Sequence, residues 1–369
     1  MRFLLAAPLL LAACSGDRAP PMANDTAANA VAPATPVAGP PPLAPADAGV
    51  APAPGELKTF RDWTVACDNV KRCTMASLGP DMGDFPMHTM EVARAAGQAG
   101  GFELSLASQS DGDAAPAAVT IDGRRFALAP DGLAGEGAAR LVAAMATGRA
   151  LTLADAKGKP LGNISLAGAS ASLRYIDAEQ GRAGTVSAAV AKGDRPAAQV
   201  PAAPATPVIV APALSGDATT PTKAQLAAMR RVARCEERMA EDTWTVKTGA
   251  VGGGATLVLL PCSAGAYNEI DALFVIRDGK VAPAQVDAPS GFEETGADSQ
   301  TPVHSVVNGD VENGTVGSYA KGRGLGDCGV SQSFAWDGRR LRLAEQHAMG
   351  ECRGNPNYLR TWIAKVERR

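Results

Sequence analysis

The chain has 369 residues, with 35 basic against 38 acidic side chains and a net charge of −3. That balance argues against a nucleic-acid partner, which calls for a basic footprint. Aromatic residues make up only 4% of the chain while Ala, Gly and Pro abound, so much of the apolar fraction is linker alanine and not core.

The N-terminus reads MRFLLAAPLLLAACSG. Arg2 supplies a single positive charge and Phe3 to Ala13 an apolar run. The run is short of the roughly 20 residues that span a bilayer and has the length of a secretory h-region. Leu11-Ala12-Ala13-Cys14 resembles the bacterial lipobox. The resemblance implies a signal peptide over 1–13, cleavage before Cys14, and a diacylglycerol on its sulfur that makes the membrane a partner through the N-terminal lipid. Ser15 stands where an inner-membrane retention signal would place Asp, which implies an outer-membrane anchor facing the periplasm. Residues 14–56 are Pro/Ala-rich with no regular apolar period. Such a stretch cannot offset its ordering entropy by burial, and it reads as an extended tether.

A first domain is expected over 57–193. Alternation at Trp63, Val65 and Cys67 marks a half-buried strand, and Asp68-Asn69 turns it back toward Cys73. Strands follow at 102–108 and across 117–129, where Asp122-Gly123 is a type I′ hairpin signal. A helix over 136–147 carries Leu141, Val142 and Met145, with Gly148 as its left-handed stop. Strands at 150–155 and 163–168 flank a turn at 157–160, and a helix over 169–180 ends at Gly181.

A Pro/Ala linker at 194–220 leads to a second domain over 221–369. It opens with a helix over 222–240, capped by Thr222 and Gln225, with Cys235 on its buried side. The rest is β: 243–248, 255–262, 271–286, 311–320, 331–344 and 358–366, with hairpin turns at Asp278-Gly279 and Asp337-Gly338. The fold class is therefore α+β: two small, mostly antiparallel β domains with a few short helices, stapled by disulfides.

Six cysteines besides Cys14 point to disulfides in an exported chain. Six allow fifteen pairings. Their order suggests three local couples, Cys67–Cys73, Cys235–Cys262 and Cys328–Cys352. The shortest loop would contribute about 2.4 kcal/mol and each longer one about 3.5 kcal/mol on the chain-entropy model. No C-x-x-C or Cys/His spacing suits zinc, and no metal or cofactor is expected.

The stretch KGRGLGDCG, 321–329, is the densest local signal. It lacks G-x-G-x-x-G, and a hairpin, not a helix, follows it, so a phosphate cradle is excluded. It reads as a glycine bend that delivers Cys328 to Cys352, with Asp327 closing the bend through its own backbone.

Together with LLPCSAGAYN (259–268), FAWDGRRLRL (334–343) and ECRG (351–354), this stretch resembles a proteobacterial envelope family catalogued as a domain of unknown function. WTVACD (63–68) and ISLAG (164–168) are similar to the invasion-associated locus B family of small secreted proteins. These resemblances imply an exported, disulfide-bonded bacterial protein and no particular reaction.

His88, His304 and His347 read as exposed loop histidines outside any nucleophile motif. The adjacent Glu293 and Glu294 need not face one cleft, so they do not make a glycosidase pair. No catalytic residue is nominated. The candidate binding patch is Lys321, Arg323, Arg353, Tyr267 and Asn268, since exposed Arg and Tyr favour binding hot spots. The expectation is a non-enzymatic envelope lipoprotein that contacts an envelope protein or peptidoglycan. The alternatives are an envelope hydrolase with an unrecognised site and a hydrolase inhibitor.

Overall fold

A computed structural model describes residues 51–81, 85–109, 114–241, 243–289 and 301–369. The signal peptide, Cys14, most of the tether and the Glu293–Glu294 pair lie outside the described residues. The described residues form one compact unit.

The first half contains β1 (Lys58–Phe60), β2 (Trp63–Cys67), β3 (Cys73–Ser77), β4 (His88–Arg94), β5 (Phe102–Ser108), β6 (Ala118–Ile121), β7 (Arg124–Ala127) and β8 (Leu133–Ala134). Helix α1 (Gly135–Met145), β9 (Leu151–Ala154), β10 (Pro160–Ile164) and α2 (Ala169–Glu179) follow. Two antiparallel sheets result, ordered β1-β2-β3-β4-β5-β8 and β10-β9-β6-β7. Trp63, Val65, Met75, Met90 and Val92 project from alternate positions of the first sheet onto Leu141 and Met145 of α1, Leu173 and Ile176 of α2, and Val119 and Leu153 of the second sheet. The period of two along the strands and the Leu141/Met145 stripe of the helix meet in this core.

The segment expected as a linker holds β11 (Val208–Ala211). After α3 (Lys223–Ala233) come β12 (Lys247–Gly252), β13 (Ala255–Ala264), β14 (Glu269–Arg277), β15 (Lys280–Pro283), β16 (Ser305–Val307), β17 (Asp310–Glu312), β18 (Thr315–Lys321), β19 (Gly329–Trp336), β20 (Leu341–Met349), β21 (Leu359–Ile363) and β22 (Lys365–Arg368). One sheet runs β12-β13-β14-β15 with β16 also on β14, and another runs β17-β18-β19-β20-β21. Strand β13 is buried along Ala255–Cys262 because both its faces are covered. Leu257 and Leu259 pack toward Phe334 and Trp336, while Val258 and Leu260 pack under Met229 of α3. A strand covered on both sides reads as a continuous apolar run and not as an alternation, which explains LVLL. Strand β11 pairs in parallel with β22, the last strand of the chain.

The mostly antiparallel α+β class holds, and the structure contains the disulfides Cys67–Cys73, Cys235–Cys262 and Cys328–Cys352. Asp122 and Gly123 both take positive φ, as do Asp278 and Gly279, as I′ turns require. Thr222 and Gln225 form the reciprocal capping box.

Several local readings are corrected. Helix α3 ends at Ala233 because Arg234 turns left-handed (φ 54°), so Cys235 lies beyond the helix. Gly148 is not a left-handed stop. A Cβ there would lie 2.6 Å from Ile121 Cγ2, so it is glycine for close packing. At Asp337-Gly338 only Gly338 has positive φ. Asp337 builds that turn with its carboxylate, which accepts from the Arg339 and Arg340 amides.

Candidate binding surface at the glycine bend

Strands β18 and β19 end in register at Lys321 and Gly329, so residues 322–328 must reverse the chain. Gly322 N–H donates to Cys328 O at 2.8 Å and Gly326 N–H to Arg323 O at 3.0 Å. These amides are engaged inside the bend and do not converge on an outside anion. Gly329 has φ 139°, and a Cβ there would sit 2.0 Å from Ala320 O, so no larger residue fits. Tyr319 and Tyr358 both donate their hydroxyls to Gly326 O, at 2.8 and 3.1 Å.

Asp327 closes the bend chiefly by pairing with Arg323 and the Gly354 amide, with its own backbone amide contributing. Its buried carboxylate accepts two bonds from Arg323, at 2.7 and 2.5 Å, and one from Gly354 N–H at 2.7 Å. Burial works to raise this carboxyl, but the Arg323 guanidinium and the Gly354 amide outweigh it and hold it below the ordinary carboxylate range.

Of the five patch residues, the structure brings Lys321, Arg323 and Tyr267 to the surface. Tyr267 lies in the β13–β14 hairpin and donates its hydroxyl to Gly322 O at 3.1 Å. Lys321 Nζ lies 5.7 Å from the Tyr319 ring centroid. Asn268 is buried: its amide donates to Lys321 O and accepts from Lys321 N–H, at 2.9 and 3.1 Å, so it pairs like a strand residue with the start of the bend.

Arg353 turns away from the bend, its side chain only 12% exposed. It donates to Gly79 O at 2.7 Å, Arg61 O at 2.6 Å and Asp62 at 2.8 Å, all in the first half. Asn355, fully buried, donates to Ser77 O at 2.7 Å. The 352–355 segment is thus a clip: Cys352 holds the bend, while Arg353 and Asn355 hold the first half.

Sequence reasoning missed what completes the surface. Phe85, from the loop before β4, stands with its ring centroid 5.7 Å from the Arg323 guanidinium carbon. Leu325, at the tip of the bend, is 65% exposed; Phe85 and Tyr267 are each more than 40% exposed. An apolar residue between two glycines in a polar loop was the available signal for Leu325. Phe85 had none, because only the fold brings it beside Arg323.

Two of the three histidines are re-placed, while His304 keeps its exposed loop position. His88 begins β4 and is buried, 3.1 Å from Ser108 Oγ. His347 lies on β20 and not after it, with Nε2 2.9 Å from Glu345 and Nδ1 3.3 Å from Tyr358 O. His304 is an exposed residue just before β16.

The profile of the family described as "Protein of unknown function (DUF1176)" matches residues 57–366, and the chain belongs to that family. The chain is also 28% identical over 329 residues to the "Uncharacterized protein YpfG" of Escherichia coli (strain K12), covering 80% of this chain and 88% of that protein. No solved structure matches.

Proposed function

We propose that this member of the DUF1176 family is a non-enzymatic binding module of the bacterial envelope. In this reading a lipid on Cys14 anchors it in the outer membrane, and the surface around the glycine bend takes a protein partner. The observation that carries the reading is the exposed group Phe85, Leu325 and Tyr267 around Arg323. Large apolar side chains grouped in the open mark interaction sites on soluble proteins, and aromatic residues with Arg are the types that dominate interface energies. The surface is also prepared in advance. Asp327 fixes the Arg323 plane, the Cys328–Cys352 bond and two tyrosines fix the loop, and little ordering entropy is left to lose on association. Lys321 at its edge favours a partner with an acidic rim. The lipobox and the likeness of the first half to invasion-associated proteins support the envelope setting.

The test places a photo-cross-linking amino acid at Leu325 in the full lipoprotein in cells, with a control at Val186, an exposed residue of the first half. We expect a defined envelope protein captured from position 325 and not from 186, and lost with Phe85→Ala combined with Lys321→Glu. Identical capture profiles from both positions would overturn the reading. Capture of an envelope hydrolase, with loss of its activity in the complex, would make the module an inhibitor.

A further inference from the structure

A second site lies away from the bend, on the outer face of the first sheet. Ala66, Ala76 and Leu78 on that face are covered by Cys328, Met349 and Leu359 of the second half. The cover stops there. Beyond it, the register of β3, β4 and β5 sets Thr74 opposite Ala93, Ala93 opposite Glu103, and Glu91 opposite Ser105. This uncovered stretch is the floor of a groove. One cavity of about 530 Å³ runs along it to β8, and another of about 190 Å³ continues it to His347 and Arg360; they share Arg72, Thr74 and Glu91 as walls.

The charges around the groove are largely matched within the protein. Arg72 donates to Glu103 at 2.6 Å, Arg360 to Asp68 at 2.9 Å, and His347 faces Glu345. A strongly charged ligand would have to break one of these pairs. An uncharged ligand that donates and accepts would not. An Arg–carboxylate pair sets N–H donors beside acceptor oxygens, and adjacent sugar hydroxyls, each both donor and acceptor, match that array. The floor is built of small side chains across the middle of a sheet. Apolar side chains, Leu104, Leu133 and Ala134, line only its β8 end, short of the row of alternating pockets by which extended peptides are held.

Two carboxyls in the groove, Glu91 and the exposed Asp131, have no hydrogen-bond or ion-pair partner among the described residues. Glu91 faces the cavity where its two parts join. Burial pushes its carboxyl above the usual range, against the opposing pull of His347. In its protonated form such a carboxyl donates and accepts at once.

We infer that this groove is a binding site for an uncharged oligosaccharide chain, with Glu91 at its centre and the Arg72–Glu103 and Arg360–Asp68 pairs along its walls. The site is distinct from the protein-binding surface proposed above and shares with its supports only Tyr358, whose hydroxyl is held on Gly326 O. It would let the module hold an envelope glycan and a protein partner together.

The experiment uses the intact mature chain, isotope-labelled, and a neutral N-acetylglucosamine tetramer as probe. A basic and an acidic peptide of similar length serve as comparisons. The tetramer should shift amide signals of Glu91, Ser105, His347 and Arg360 at millimolar concentration, while the signals of 321–328 stay in place. Glu91→Gln, which still donates and accepts, should retain binding. Glu91→Ala should weaken it by at least about tenfold, a difference read directly from the titration. Ser105→Trp, which fills the groove from an exposed position, should abolish the shifts without moving the unfolding midpoint. No groove shifts with the tetramer, equal binding by Glu91→Ala, or shifts produced only by a charged peptide would each overturn the proposal.

Discussion

Asp327 and Asp271 lie in the same half of the molecule and are equally hidden, at 1% and 0% exposure, yet the protein treats them in opposite ways. Asp327 accepts three hydrogen bonds, two of them from a guanidinium, and is held below the ordinary carboxylate range. Asp271 sits on β14 with one oxygen on Gly309 N–H at 2.9 Å and the other buried without a partner. Lys247 stands off at 3.7 Å and is engaged by Glu269 at 3.0 Å. Burial, with Glu269 beside it and Lys247 opposing, raises the Asp271 carboxyl to about 7. Burial alone therefore does not decide the charge of a carboxyl; the number and charge of the donors that replace water do.

The sharpest way to test that contrast is pH. Asp271 binds its proton more tightly folded than unfolded, so its contribution is fully present below the unfolded value of 3.8 and is lost as pH rises through about 7. Each tenfold tightening of proton binding corresponds to about 1.4 kcal/mol, so the loss should amount to a few kcal/mol. Asp327 has the opposite sign: its contribution is present above the unfolded value of 3.8 and is lost as pH falls below it. Chemical denaturation of wild type and Asp271→Asn between about pH 4 and pH 8 reads the first effect. The downward slope of the wild type should flatten in the variant, and parallel curves would refute the assignment.

The next effect in size concerns the covalent support of Asp327. Replacing Cys328 and Cys352 by Ser should cost about 3.5 kcal/mol on the chain-entropy model, measured as the shift in denaturation midpoint at constant slope. Arg323→Met should cost about 2 kcal/mol, because it strands a buried carboxylate. Adding Asp327→Asn should restore part of that loss, and a double-mutant cycle with no coupling would show the pair to be incidental. The smallest effect is expected at the tip. Leu325→Ser with Lys321→Glu should change stability by less than about 0.5 kcal/mol while abolishing co-purification of the captured partner. A binding variant that keeps Arg323 is therefore the clean one, since loss of Arg323 itself would confound binding with folding.

Strands with alternation bounded by Asp-Gly turns were legible in the sequence, as were the local disulfide couples and the Thr222/Gln225 cap. What escaped depended on contacts remote in the chain. Strand β4, HTMEVAR, carries the Met90/Val92 alternation, but its polar ends His88 and Arg94 read as loop and are buried only by the fold. Strand β11 reads as linker because Pro207 and Pro212 bracket it, and only pairing with β22 makes VIVA a strand. The bend was recognised as a disulfide-held turn from its missing helix, whereas Arg353 was placed on the surface because nothing near it in sequence announces Asp62 and Gly79. The groove was invisible for the same reason: its floor and its end wall come from opposite halves of the chain.

The clip at 352–355 also sets a timetable. Asn69 and Asp68, at the end of the second strand, are tied to Ile363 and Arg360 across 294 and 292 positions of sequence, and Ser77 to Asn355 across 278. Closing such loops is what slows folding in proteins dominated by distant pairings. The outer face of β2 and β3, with Ala66 and Ala76, is not fully covered until Cys328, Met349 and Leu359 emerge. During synthesis the first half therefore displays an apolar sheet face until nearly the whole chain has emerged. Such exposed intermediates aggregate readily, so solubility of this chain depends on its last strands arriving.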